Sequence, residues 1–423
     1  MFKCRSAREI NSTFPEQAPK MHSTFASCVI AAVFVAVALA DHHCHEEADA
    51  CHKLSEPNAE FALTLYKKLD AHTAAGKNIF YSPISISAAL SMVSSGARGD
   101  TRSQLMSTLG YAALNQTQVD DGYEHFFHVL EHHQTNQQLD VGNIVAVGTG
   151  FQPSQQFVAD IKRHYVGELL NVDFANPEEA AAQMNKLIAS KTHDKIKDMV
   201  KDLDPGTVMM LLNYVYFRGQ WQHPFEANLT SKEDFHVDES TTVQVDMMKR
   251  TGRYDIYGDN QNHTTVVRLP YKGNSSMIIV LPDEGKMKEV EDGFTMERFQ
   301  HWTQSFFKNN VDLSLPKFSI SAEASLKQIL QELGVTDAFS VAADFSGLSE
   351  DIKLKVSKVS HQAVLSVDET GTEAAGTTTI EFERMSLLES FKLKLNRPFL
   401  VFIVDSSTET ILFMGKINNP TAL

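Results

Sequence analysis

Two stretches of this chain are apolar at successive positions, not alternate ones, and they limit the fold more than any other feature. Met277–Leu281, "MIIVL", is apolar on both faces and stops at Pro282-Asp283-Glu284-Gly285, as a central strand does before a turn. Near the end, Arg397–Ile417, "RPFLVFIVDSSTETILFMGKI", reads as two strongly apolar strands around a polar turn. The first part of the chain is mainly helical instead. Phe61, Leu65 and Leu69 repeat at helical spacing, and in "YSPISISAALSMVSSGARGD" Ser82 is a natural N-cap, Pro83 suits the first helical position and Gly96 closes the C-terminus. "SLKQILQELGV" repeats the design, with Leu326, Ile329, Leu330 and Leu333 before Gly334. In "VDLSLPKFSI", Val311, Leu313 and Leu315 hold one phase and Phe318 and Ile320 the other, so Pro316 marks a bend or bulge. Helices first and antiparallel-looking strands later indicate an α+β fold with large sheets.

No repeat, linker or low-complexity block interrupts Lys53–Leu423, and 43% apolar residues in 423 suffice for one large domain, expected over residues 55–423. Ahead of it, the uncharged apolar run Phe25–Ala40 ends in Ala38-Leu39-Ala40, the small-residue pattern of a secretory leader over residues 21–40. The run is shorter than the roughly 20 residues a membrane span needs. Residues 1–20 read as an upstream extension before Met21, and residues 41–54 as a flexible polar tail. Loss of residues 1–40 removes four basic and two acidic residues, moving the formal charge from −15 to −17. Such acidity disfavours nucleic acid as a partner.

Sequons at Asn115, Asn228, Asn262 and Asn274 are expected sugar acceptors in a secreted chain. All four cysteines lie within the first 51 residues, so no disulfide staples the core, and Cys44 and Cys51 are left as an optional pair. His42, His43, His45 and His52 surround them, but a polar terminal segment without flanking structure reads as a solvated tail, and no metal site or cofactor is expected.

The chain has no GxSxG elbow, HExxH helix, GxxxxGK[ST] loop or GxGxxG turn, so it is not read as an enzyme. One histidine stands apart. His361 in "VSHQAVLSV" shares parity with Val359, Ala363, Leu365 and Val367, which places it on an apolar strand face.

Asp368–Ser390, "DETGTEAAGTTTIEFERMSLLES", combines the marks of a loop and a strand. Gly371 and Gly376 disfavour a helix or an ordinary core strand. Yet Thr372, Ala374, Gly376, Thr378, Ile380 and Phe382 are uncharged, while Glu373, Glu381 and Glu383 fall on the other parity, the alternation of a strand with one buried face.

Read with "LKLNRPFLVFI" (Leu393–Ile403), this stretch resembles the serpin superfamily. The likeness extends through "NIFYSPISISAALSMVSSGARGDT", "LLNYVYFRGQWQHPF", "DFHVDESTTVQVDMMKR", "LPKFSI" and "LFMGKINNP" over nearly all of the mature chain. "VLSVDETGTEAAG" and the later Met-Ser pair are similar to secreted alpha-1-antitrypsin-type inhibitors. The resemblance implies three β-sheets with about nine helices and an exposed reactive-centre loop. It implies a monomeric suicide substrate that traps a serine protease by inserting the cleaved loop into the main sheet. The alternative is a non-inhibitory carrier.

By the same resemblance the hinge is Glu369, Gly371, Thr372, Glu373, Ala374, Ala375, Gly376, Thr377 and Thr378. Ser82, Ser85, Asn213 and His361 match the family's shutter, and Trp221, Lys317 and Glu369 its breach. Family spacing from Glu369 puts the reactive bond at Met385–Ser386, suited to an elastase- or chymotrypsin-like protease; "ERMSLLESF" also resembles antiplasmin, which would make it Arg384–Met385 and the target trypsin-like. Heparin is not expected to bind, because Asn115–Gln134 has no lysine or arginine.

Overall fold

The computed structural model describes residues 52–132, 137–349, 353–372 and 390–422. A helix over residues 52–72 buries Phe61, Leu65 and Leu69, as their spacing predicts. Residues 52–54, assigned to the tail by sequence, belong to this helix, because Leu54 lies two turns before Phe61 on the same face and is buried with it. The next helix, Pro83–Gly96, is buried at every position but Ser95 and packs against strands of both sheets. Its Ser82 cap accepts from Ser85 N at 3.3 Å. Gly96 serves packing more than helix termination: a Cβ there would lie 1.7 Å from Leu348 Cδ1, and Ala97 is the cap. Gly334, by contrast, follows the Lys327–Glu332 helix at φ +106°, where a side chain would be strained. Among the described residues there are nine α-helices.

The strands form two hydrogen-bonded networks among the described residues. One has six members in the order Phe318–Ser325, Lys358–Val367, Gly371–Thr372, Met209–Gln220, Gln137–Gly148 and Gly167–Val172. The other has nine, centred on Ser275–Pro282 and the hairpin Phe399–Asp405 with Thr410–Ile417, whose strands are almost wholly buried. The long strand Thr242–Asp259 pairs with Ser231–His236, Phe307–Pro316 and Thr264–Pro270, so the second and third expected sheets share it and run together.

Pro316 is where the chain leaves one sheet for the other. Phe307–Pro316 belongs to the nine-stranded network and Phe318–Ser325 to the six-stranded one, which is why the apolar phase changes there. Lys317 is left at the junction, its N–H donating to Asp246 O at 2.8 Å.

The six-stranded sheet is covered on both faces. The main core lies on the face holding Val359, Ala363, Leu365 and Val367. A second cluster joins Ile144, Leu212, Tyr214 and Val364 to Ala180, Met184 and Ile188 of the helix Pro177–Lys191. Burial of the central hairpin has a measurable consequence. Phe402 is fully buried against Phe294 and Phe299, at ring separations of 5.6 and 4.7 Å. Phe402→Ala should lower unfolding stability by about 3–5 kcal/mol, whereas Val341→Ala, at an 89% exposed position, should change it by less than about 0.5 kcal/mol in denaturant titrations.

Candidate functional site

The six-stranded sheet has one seam unlike its neighbours. Lys358–Val367 runs parallel to Met209–Gln220 and pairs with it directly from Lys358↔Met210 to Val364↔Tyr216. Above that level the two strands part. Gly371–Thr372 lies between them, antiparallel to both, with Val367 opposite Thr372 on one side and Gln220 and Gly219 opposite Gly371 and Thr372 on the other. The start of the loop-like stretch is therefore already a strand of the main sheet.

A tight turn directs it there. Asp368 Oδ1 accepts from Thr370 N, Thr370 Oγ1 and Gly371 N at 2.8, 2.8 and 3.2 Å, and Asp368 N donates to Gly371 O at 2.8 Å. Gly371 has φ +153°, and a Cβ there would sit 2.1 Å from Gly219 O, so glycine is required on both counts. Thr372 is fully buried, and its hydroxyl bonds Tyr271 OH at 2.9 Å.

Trp221, Lys317 and Glu369 come together around this turn. Trp221 stacks on Tyr271 at 4.5 Å, donates Nε1–H to Asp368 O at 2.9 Å and donates its backbone N–H to Thr370 O at 2.9 Å. Glu369 Oε2 accepts from Lys317 Nζ at 2.9 Å, Oε1 accepts from Thr230 Oγ1 at 2.9 Å, and its carbonyl accepts from Phe225 N at 2.8 Å. Burial acts to raise the Glu369 carboxyl, but the hydrogen bonds from Lys317, its own backbone N–H and Thr230 outweigh it and hold the group below the usual glutamate range. The turn is clamped from both sides.

Ser82, Ser85, Asn213 and His361 also meet, one level down the seam. His361 and Asn213 are register partners across the parallel pair, and Asn143 is the register partner of Asn213 on its other side. His361 Nε2 accepts from Ser82 N at 3.1 Å, so Nδ1 carries the proton and donates to Asn213 Oδ1 at 2.5 Å. Asn213 Nδ2 donates to Ser85 Oγ at 2.5 Å and Asn143 Oδ1 at 2.7 Å, and Asn143 Nδ2 donates to Tyr165 O at 2.9 Å. Each side of the seam thus keeps partners of its own, and the His361–Asn213 bond alone among these crosses it.

Sequence reasoning missed Thr230, Tyr271, Asp368 and Asn143. Asn143 carried a legible signal, since it shares parity with Leu139, Val141, Val145 and Val147 as His361 does with its apolar neighbours. Tyr271 is an isolated bridge partner of Trp221 and Thr230 a single link before the strand Ser231–His236, so no periodicity marks either. Residues 373–378 of the expected hinge, both expected reactive bonds at 384–386 and the His/Cys tail ahead of His52 lie outside the described residues. Of the sequons, Asn115 and Asn228 are exposed and Asn262 and Asn274 half-buried. Asp121, Glu124 and His164 lie near enough to share a cation, but Glu124 already accepts from Arg163 Nε at 3.0 Å and lies 2.8 Å from His164 Nδ1.

Full burial drives the His361 pKa down from 6.5 to about 3, so the ring is neutral in the folded chain. The unfolded chain takes up a proton near 6.5 that the folded one refuses, so this contribution to stability is complete above 6.5 and declines as pH falls toward about 3. By about pH 5 the loss from this residue is about 2 kcal/mol. His361→Gln should flatten the fall in stability between about pH 7 and about pH 5 by that amount in urea unfolding; parallel curves would mean that the ring is protonated in place.

Residues 56–420 match the family model described as Serpin (serine protease inhibitor). An alpha-1-antitrypsin homolog from Cyprinus carpio is 57% identical over 324 residues, covering 77% of this chain and 87% of that protein. Alpha-1-antiproteinase S from Cavia porcellus is 43% identical over 368 residues, covering 86% and 89%. The crystal structure of human thyroxine-binding globulin with thyroxine superposes with a TM-score of 0.84 at 37% identity, covering 88% of this chain and all of the other. This chain belongs to the serpin family, as an alpha-1-antitrypsin-like member.

Proposed function

We propose that the chain is a secreted, monomeric serine protease inhibitor that acts as a suicide substrate. The observation that carries this reading is the two-residue strand Gly371–Thr372, seated antiparallel between strands that pair with each other only below it. It supports a path along which the rest of the segment joins the sheet. The protease's serine attacks the carbonyl of Met385, the peptide bond to Ser386 breaks, and the new amine leaves with the C-terminal limb; the ester to Met385 is the acyl-enzyme. Freed at that end, the segment zips downward from Thr372, and 12 residues, the length of Met209–Gln220, at roughly 3.3 Å each would carry the bound protease about 40 Å. The acyl-enzyme ester held at the end of the inserted segment is the trapped complex. The Arg384–Met385 bond is the second candidate, and it would direct the same chemistry to trypsin-like enzymes.

Incubation with elastase, chymotrypsin, trypsin and plasmin should give an SDS-stable complex with one of them. A released peptide beginning at Ser386 assigns Met385, and one beginning at Met385 assigns Arg384. The nicked protein should melt well above the intact one; an unchanged melting curve rules insertion out. Thr372→Arg tests the path directly, because a charged side chain at this buried position blocks entry of the strand. It should leave cleavage intact and abolish the stable complex. The resemblance to thyroxine-binding globulin favours a carrier as the second reading; cleavage of the wild type by every protease with no complex would overturn inhibition and favour the carrier or substrate reading.

A further inference from the structure

Beside the clamp on Glu369 stands an asparagine that the clamp does not use. The short turn Ala227–Leu229 has no buried residue and leads into Thr230, the residue that donates to Glu369 Oε1. Asn228 is exposed on it, and Leu229 is a rare large apolar side chain left 42% exposed. Asn228-Leu229-Thr230 is thus an acceptor triplet whose third residue already holds the hinge. Two other triplets are differently placed. Asn262 Nδ2 donates to Asp259 Oδ2 at 2.7 Å, a carboxylate oxygen that also accepts from buried Trp302 Nε1 at 2.8 Å, and Asn274 is half-buried ahead of buried Ser275 and Ser276.

We propose that Asn228 carries an N-linked glycan that covers Leu229 and screens the mouth of the parallel seam against strands from other molecules. In its formation Asn228 Nδ2 loses one proton and bonds C1 of a lipid-diphosphate-linked oligosaccharide, and the C1–O bond to phosphate breaks, releasing the lipid diphosphate. A parted seam presents strand edges that any extended chain can pair with. The chain's own segment is already threaded at Gly371–Thr372 and needs no approach from solvent. A foreign strand must cross the surface beside Glu369, where the sugar stands. The screening role rests on the seam opening proposed above; the glycan itself does not.

The full chain, secreted from cultured animal cells, should yield a peptide in which glycan release by a peptide amidase converts Asn228 to Asp. An unmodified Asn228 in the secreted protein overturns the assignment. Asn228→Gln removes the sugar and keeps the Thr230–Glu369 bond, whereas Thr230→Ser keeps the triplet and a hydroxyl. Asn228→Gln should anneal a synthetic Thr372–Phe382 peptide, and form oligomers on mild heating, several-fold faster than wild type or Thr230→Ser, with protease trapping unchanged. Equal rates in all three overturn the screening role. Absence of annealing in all three overturns seam opening and the screening role together, while peptide mapping alone decides the glycan.

Discussion

The parallel pairing between Lys358–Val367 and Met209–Gln220 is the contact on which the rest of this molecule turns. Parallel ladders are slightly less stable per residue than antiparallel ones, and strands that run parallel in sequence-distant segments leave room for an antiparallel strand between them. Gly371–Thr372 already occupies that position for one step. Each further residue inserted would exchange one parallel pairing for two antiparallel ones. The sheet is thus complete as it stands and also has a place for one more strand.

Side chains along the seam fit this reading. On the face beneath the helix Pro177–Lys191, Ser360 Oγ and Tyr216 OH are buried without a protein hydrogen-bond partner, and Gln362 uses its Nε2 on Ser321 while its Oε1 has none. A buried polar atom left without a partner costs about 1–3 kcal/mol. On the opposite face His361 and Asn213 are well bonded, but the arrangement is divisible: parting leaves His361 with Ser82 and leaves Asn213 with Ser85 and Asn143. Besides the backbone pairing from Lys358 to Val364, opening breaks one charge-neutral side-chain hydrogen bond, His361–Asn213, and the clamp above it.

Much of this was legible in the residues. Successive apolar positions in Met277–Leu281 and Phe399–Ile417 placed the buried strands, and the parity of His361 placed it on the core face. The phase change at Pro316 was visible, but its meaning was not, because a bend within one strand and a passage between two sheets leave the same pattern. The Lys317–Glu369 pair came from family likeness alone. Charge spacing across 52 residues carries no local signal, and Thr230 and Tyr271, which complete the same cluster, sit outside the named strands with no period to read.

The register at Thr372 decides what the remainder of the segment would bring with it. Val367 opposite Thr372 puts Thr372 on the core face, so a ladder continued without slip places Ala374, Gly376, Thr378, Ile380 and Phe382 on that face and Glu373, Glu381 and Glu383 on the other. A slip of one residue would turn all three glutamates onto the main-core face. Continued in that register, an inserted segment would bring residue 378 level with His361 on one side and Asn213 on the other, since Val367↔Thr372 and Thr372↔Gly219 count down together. Thr378 has a hydroxyl that both donates and accepts. Set between the two by the proposed insertion, it would accept from His361 Nδ1–H and donate to Asn213 Oδ1, replacing the bond that parting removes. The glycine of the turn, the small residues that follow and a threonine at the level of the histidine then serve one requirement. In the proposed insertion, the His361–Asn213 level of the seam would open without leaving either side chain alone.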